Sequence, residues 1–249
     1  MNKIQTQILF KGILLASAVT FGQVDHIIFS EVVLTPSEGE YIEIKNPTAG
    51  DIDLSDYYLT DATDNVSGKA YYKLPSGTDY WSGSGSDFIC RFPVGYSLAA
   101  GSSIKVSLRD NDSYAGTFGE SPDLSLDDEM LDAVEGVNTR GSTTAPKLGN
   151  VNETLVLFYW DGSSSIVKDV DYLLWGDNAF AIDKSDISGY QPDTPANSQS
   201  FMSIHTTNEK LIRAATSSEG IETVAGGNGI TGHNETSEPL SDTWITASL

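Results

Sequence analysis

Two acidic clusters hold the side chains best suited to bind a hard cation. They are Asp110-Asn111-Asp112 and Asp127-Asp128-Glu129, with Asp132 just beyond. Calcium takes roughly 6–8 oxygen ligands, so Asp110, Asp112, Asp127 and Asp128 are the candidate metal ligands. Neither cluster has the spacing of an EF-hand loop, and the competing reading is a solvated acidic turn. A second candidate is Tyr80-Trp81, set in a Gly/Ser loop, where aromatic faces with polar edges suit contact with a protein or a polysaccharide. A third is Glu31. Strand alternation places it on one face with Ile27, Phe29 and Val33, as a buried structural acid that needs a hydrogen-bonded or charged partner.

Signatures of catalysis are sparse. His26, His205 and His233 lie far apart and fit neither an HExxH nor a Cys/His zinc spacing. Gly95-Tyr96-Ser97-Leu98-Ala99 approaches a nucleophile elbow but falls in a turn between strands. Gly227-Asn228-Gly229-Ile230-Thr231-Gly232 spells a dinucleotide-binding fingerprint by letter, yet the polar text after it cannot open a long helix. Cys90 is the only cysteine, so the chain has no internal disulfide, and its apolar-aromatic setting reads as a small core residue. Carboxylates are numerous enough to supply a hydrolase with an acid and a base, but spacing singles out no pair.

The elements that position these residues are strands. Residues 26–61 contain three short runs of alternating apolar and polar residues, HIIFSEVVL, EYIEIKNPT and IDLSDYYLTD, separated by turn-forming residues. Ala70 to Pro75 reads as a further short strand. Ile104-x-Val106-x-Leu108 is a clear strand with polar partners. From about 110 to 150 the text leaves the alternating pattern, which predicts a long loop insertion with about two helical turns over Leu126 to Val134. In Thr154 to Trp160 both alternating sets are apolar, the mark of a strand covered on both faces. After a turn at Asp161-Gly162 comes a strand over Ile166 to Trp175. Within 178–249, strands are expected near Gln199 to Ile204 and Asp242 to Ala247.

The first 22 residues carry Lys3 and Lys11 ahead of the apolar stretch Gly12 to Val19, the pattern of a secretory signal peptide. No segment is long and apolar enough to span a bilayer. The formal charge is −21, with 35 acidic against 14 basic side chains; removal of the leader with its two lysines takes it to −23. Such a surface repels phosphate backbones, which makes nucleic acid a poor partner. Export to the medium or the surface of a bacterium follows, with 23–249 as one domain.

Several short patterns combine into a resemblance. They are Ser30-Glu31-Val32, Tyr41-Ile42-Glu43-Ile44-x-Asn46-Pro47, Ile52-x-Leu54-Ser55-x-Tyr57-x-Leu59-x-Asp61, Asn150-x-x-Glu153-x-Leu155-x-Leu157 and Val170-Asp171-Tyr172. Together they resemble the lamin-tail domain family over about residues 26 to 176. The resemblance implies an all-β, immunoglobulin-like β-sandwich, to which the 110–150 insertion and short helical turns are added. It also implies an interaction or accessory role, since similar domains serve interactions in nuclear lamins and are appended to secreted bacterial nucleases and surface proteins. Two functions follow as expectations. The first is an exported non-catalytic module, stabilised by calcium, that binds a protein or a cell-surface polysaccharide. The second is a secreted carboxylate-dependent hydrolase of nuclease or glycosidase type, or an accessory domain of one.

Overall fold

Alternating apolar positions become strands wherever one face can be buried, and here they close two sheets over one core. A computed structural model describes residues 24–62, 68–215, 222 and 226–249; the leader expected at 1–22 lies outside the described residues. The strands are β1 (Ile28–Val33), β2 (Tyr41–Lys45), β3 (Ile52–Asp53), β4 (Tyr57–Thr60), β5 (Ile89–Arg91), β6 (Ser97–Leu98), β7 (Ser103–Ser107), β8 (Leu124–Ser125), β9 (Leu131–Asp132), β10 (Glu153–Tyr159), β11 (Lys168–Trp175), β12 (Glu209–Arg213) and β13 (Trp244–Ser248). One sheet runs β13-β12-β1-β2-β7-β8, the other β11-β10-β4-β5-β9, and β3 pairs with β6 alone. The chain is an immunoglobulin-like β-sandwich, as its resemblance implies, built from the strands that its alternation predicts.

β10 fulfils the reading of a strand covered on both faces, with Leu155, Val156, Leu157 and Phe158 all fully buried. One face meets the first sheet. The other lies under a third layer from residues 178–200, where the Tyr172 hydroxyl donates to Gln199 Oε1 at 2.8 Å and the Thr154 hydroxyl to the Phe180 carbonyl at 2.6 Å.

Two bulges decide which residues face which layer. In β1 the register shifts between Phe29 and Glu31. The extra residue reverses the alternation, so Phe29 and Val32 enter the main core while Val33 turns to the opposite face and packs with Tyr41 and Tyr114. Glu31 is therefore not a core-facing acid beside Ile27 and Phe29, as simple alternation predicts. Its side chain keeps 13% of its exposure and pairs with Lys210 at 2.7 Å, with the Tyr41 hydroxyl donating to it as well. In β11 the register shifts opposite Leu157 and Phe158. Asp169 and Asp171, two apart and expected on one face, consequently point to opposite layers.

Asp171 points between the sheets and meets Arg213 of β12. The guanidinium donates to both Asp171 oxygens, at 3.0 and 2.8 Å, to Glu238 at 2.6 Å and to the Phe29 carbonyl at 2.8 Å. The Phe29 amide closes the circuit by donating to Asp171 at 2.5 Å. Asp169 instead faces the third layer, where the ammonium of fully buried Lys184 lies 2.7 Å from it and 3.0 Å from Asp193. The Tyr71 hydroxyl donates to the other Asp169 oxygen at 2.5 Å. Burial pulls the Lys184 ammonium down, but the Asp169 and Asp193 charges outweigh it and hold its pKa above the ordinary lysine range.

Other elements depart from the sequence reading for local reasons. Residues 71–76 form a 3-10 turn rather than a strand, closed by Gly77, whose amide bonds the Leu74 carbonyl from a left-handed φ of 72°. Leu126 to Val134 is not helical: Arg140 Nη1 takes the Leu126 and Asp127 carbonyls, at 3.1 and 3.0 Å, which a helix would have used itself. The helix of this region is α1 (Asn111–Phe118), capped by Asp110 and ended by left-handed Gly119. Nor is 110–150 an excursion outside the sandwich, because β8 extends one sheet beside β7 and β9 extends the other beside β5. Residues 199–204 contribute only a bridge from Met202 to Trp175, and the strand of that region is β12.

Removing one partner of a buried pair leaves an uncompensated charge, which costs about 3–5 kcal/mol. Asp171→Ala is expected to lower the unfolding free energy by that amount in urea titrations. Lys105→Ala, which breaks the exposed pair with Glu120, should cost about 1 kcal/mol or less.

Candidate functional site

The two acidic clusters are brought together by α1, and the oxygens of Asp110 and Asp128 already have partners, whereas the buried Asp127 Oδ2 has no hydrogen-bond partner among the described residues. Asp110 caps the helix, accepting from the Ser113 amide at 2.7 Å and its hydroxyl at 2.8 Å. These bonds hold its carboxyl below the usual carboxylate range. Asp128 accepts from the Asn111 amide at 2.8 Å and the Ser125 hydroxyl at 3.0 Å. Asp112 is exposed on the helix, and Asp127 is half-buried with its carboxyl raised by that burial. Among the described residues no group of three or more His, Cys, Asp or Glu is gathered to hold a metal ion.

Behind the clusters lies a buried acid that strand alternation did not single out. Glu40, fully buried, accepts the Lys147 amide at 2.7 Å through Oε2, while Oε1 has no hydrogen-bond partner among the described residues. Burial pushes its pKa up from 4.5 to about 8, against the opposing pull of the Lys147 and Leu148 amides and of the Arg109 and Lys147 charges. Lys147 itself is buried, its ammonium bound to the Gly85 carbonyl at 3.0 Å and the Arg140 carbonyl at 2.7 Å. A Cβ on Gly141 would stand 2.7 Å from that ammonium and 2.6 Å from the Gly85 oxygen, so this seat requires glycine. The only sequence signal for Glu40 is its place just before β2, a poor guide to depth.

The remaining candidates have structural settings. Tyr80 and Trp81 are half-buried and pack against the core, and the Trp81 indole donates to the Asp87 carbonyl at 3.3 Å. Cys90 is fully buried, its thiol pushed well above the ordinary range by burial. His205 Nε2 accepts the Leu34 amide at 2.8 Å, which fixes the ring proton on Nδ1, facing the Thr206 carbonyl at 2.9 Å. The three histidines belong to no common site.

Among the described residues the fold leaves a sheet edge open. β13 is the outermost strand of the six-stranded sheet. Its pairing with β12 is bracketed by bonds from the Ala214 amide to the Thr243 carbonyl, 2.7 Å, and from the Leu249 amide to the Asn208 carbonyl, 2.9 Å. Antiparallel alternation from those two bonds turns the main-chain groups of Ile245 and Ala247 toward β12 and those of Thr246 and Ser248 outward. Beside this edge runs a groove of about 330 Å³, lined by Phe201, Met202, Ser203, Ser241, Trp244, Ile245 and Thr246. Ile245 is 51% exposed and Phe201 40%.

The match to a protein family agrees with the architecture. The Lamin Tail Domain family model matches residues 22–173. A crystal structure of a DUF4876 family protein from Bacteroides thetaiotaomicron VPI-5482 aligns at 14% identity and a TM-score of 0.41, covering 89% of this chain and 71% of that one. No curated protein matches.

Glu40 gives the chain a pH signature. A carboxyl whose pKa rises from 4.5 to about 8 on folding keeps its proton after the unfolded chain has released it. Its contribution to stability is therefore full below about pH 4.5 and falls as pH climbs through about 8. Glu40→Gln should flatten the fall measured by urea unfolding across that window; an identical slope in both proteins would show Glu40 to be ionised in the fold.

Proposed function

The chain belongs to the lamin tail domain family, and we propose that it is an exported, non-catalytic module that binds a protein partner at the bacterial surface or in the medium. The observation that carries this reading is the contrast between its interior and its rim. Two sets of buried charges lie in the joints between layers: Asp171 and Arg213 between the sheets, Asp169, Asp193 and Lys184 under the third layer. The open edge of β13, by contrast, carries main-chain groups with no strand beyond them among the described residues. Export rests on the leader pattern of residues 1–22. A protein partner is favoured over a polysaccharide because Tyr80 and Trp81 pack against the core instead of standing free as a stacking platform.

One observation favours the hydrolase reading. Glu153 at the start of β10 is pushed up to about 7, first by burial and then by the charge of Asp87, which brings a carboxylic acid to where general acids work. Its oxygens, however, accept from the Thr154 amide at 3.1 Å and from the Gly149 amide, which closes the turn into β10. The module reading expects no turnover above blank on nuclease and glycosidase substrates. Turnover abolished in Glu153→Gln would overturn it. Calcium has no part in this proposal, since Asp110 and Asp128 already accept from amides and hydroxyls. The thermal midpoint should be the same in millimolar calcium and in chelator, whereas a ligand bound only by the folded chain would raise it.

A further inference from the structure

We propose that the outer edge of β13 is a strand-addition site for an extended, basic segment of a partner protein. This rests on the module reading and supplies the chemistry of its partner. The outward main-chain groups of Thr246 and Ser248 are where an added strand would continue the ladder. The groove beside them receives the incoming side chains, with Phe201 and Ile245 as apolar walls and Ser203, Ser241 and Thr246 as polar ones. Trp244, in the groove lining, is 3% exposed, packs under the Arg213 guanidinium, and has an indole N–H with no acceptor among the described residues, so a buried donor at this site is left unmet.

The charge of the occupant follows from its surroundings. The cations of the neighbouring strand β12 are both engaged, Lys210 with Glu31 at 2.7 Å and Arg213 with Asp171 at 2.8 Å. Asp242 is exposed next to groove residue Ser241, and the whole chain carries −21. A second copy would bring the same excess of negative charge to the edge, whereas a segment bearing lysine or arginine is drawn to it. Alternating apolar residues in that segment face the groove while its basic residues face the acidic rim.

The test uses the chain itself and two synthetic decapeptides, one alternating valine with lysine and one alternating valine with glutamate. The lysine peptide is expected to bind about tenfold or more tightly than the glutamate peptide, and to weaken as salt is raised. Binding should slow hydrogen exchange at the Thr246 and Ser248 amides. Thr246→Pro removes an outward donor without touching the bonds to β12 and should abolish binding. Phe201→Ser, at an exposed position that does not threaten folding, should weaken it several-fold. Equal affinity for both peptides, no binding of either, protection elsewhere, or binding unchanged in both variants would overturn the site. Concentration-dependent protection of the same amides without peptide would overturn it in favour of a second copy. None of these results touches the module reading, which only turnover overturns.

Discussion

The fold depends on how one strand divides two aspartates. Asp169 and Asp171 are close enough in sequence that an unbroken β11 would present both to the same layer, crowding two carboxylates together. The bulge opposite Leu157 and Phe158 sends them apart. Asp171 then pins the two sheets through Arg213, and Asp169 pins the third layer through Lys184. Each ion pair is expensive to desolvate and contributes little net stability over a well-packed apolar pair. Its value is in specifying position: a buried guanidinium held by Asp171, Glu238 and the Phe29 carbonyl matches the register of β12 against β1. The same bulge lets residues 178–200 lie over the outer face of β10 without leaving an acid unpartnered beneath them.

The charge of the surface has another source. Only 14 side chains are basic, against 35 acidic, and Arg213, Lys184 and Lys147 are buried. Those cations are buried with acids that outnumber them, Asp171 and Glu238 at Arg213 and Asp169 and Asp193 at Lys184, so the interior takes in no net positive charge. The negative field outside, and with it the preference for a basic partner, comes from the composition as a whole.

The strands were legible because their alternation is local. β10, with both faces apolar, could be read as a covered strand, and the runs at β1, β2 and β4 read as strands, while the sandwich came from the family resemblance. The misreadings arise where one residue shifts the phase or a distant side chain intervenes. Ser30 adds a residue to β1 and moves Glu31 out of the core, a change of parity that no periodicity reveals. Arg140 takes the carbonyls of a helical-looking stretch from more than ten residues away. Asp110 was singled out for its oxygens, and its true use was written three residues on at Ser113, as a helix cap. β12 was missed because it ends in Arg213, whose burial makes sense only once Asp171 and Glu238 are in place. The deeply placed acids, Glu40 and Asp171, are separated in sequence from the cations near them, so depth was the property least visible in the text.

An exposed strand edge is a hazard for any sheet, and proteins ordinarily cover it, shorten it or break it with proline or charge. β8 and β9 are shortened to two residues each. β13 is five residues long, contains neither proline nor a charged side chain, and ends beside exposed apolar groups. On the strand-addition proposal, what opposes uncontrolled pairing there is the chain's net charge of −21, which acts against like copies and is screened beyond about 8 Å at physiological salt. A defence of that kind is selective in sign: it turns away copies of the same acidic chain and leaves the edge open to a segment of opposite charge. An edge protected by geometry would refuse every strand, whereas one protected by charge discriminates among them, and discrimination is what an interaction module requires.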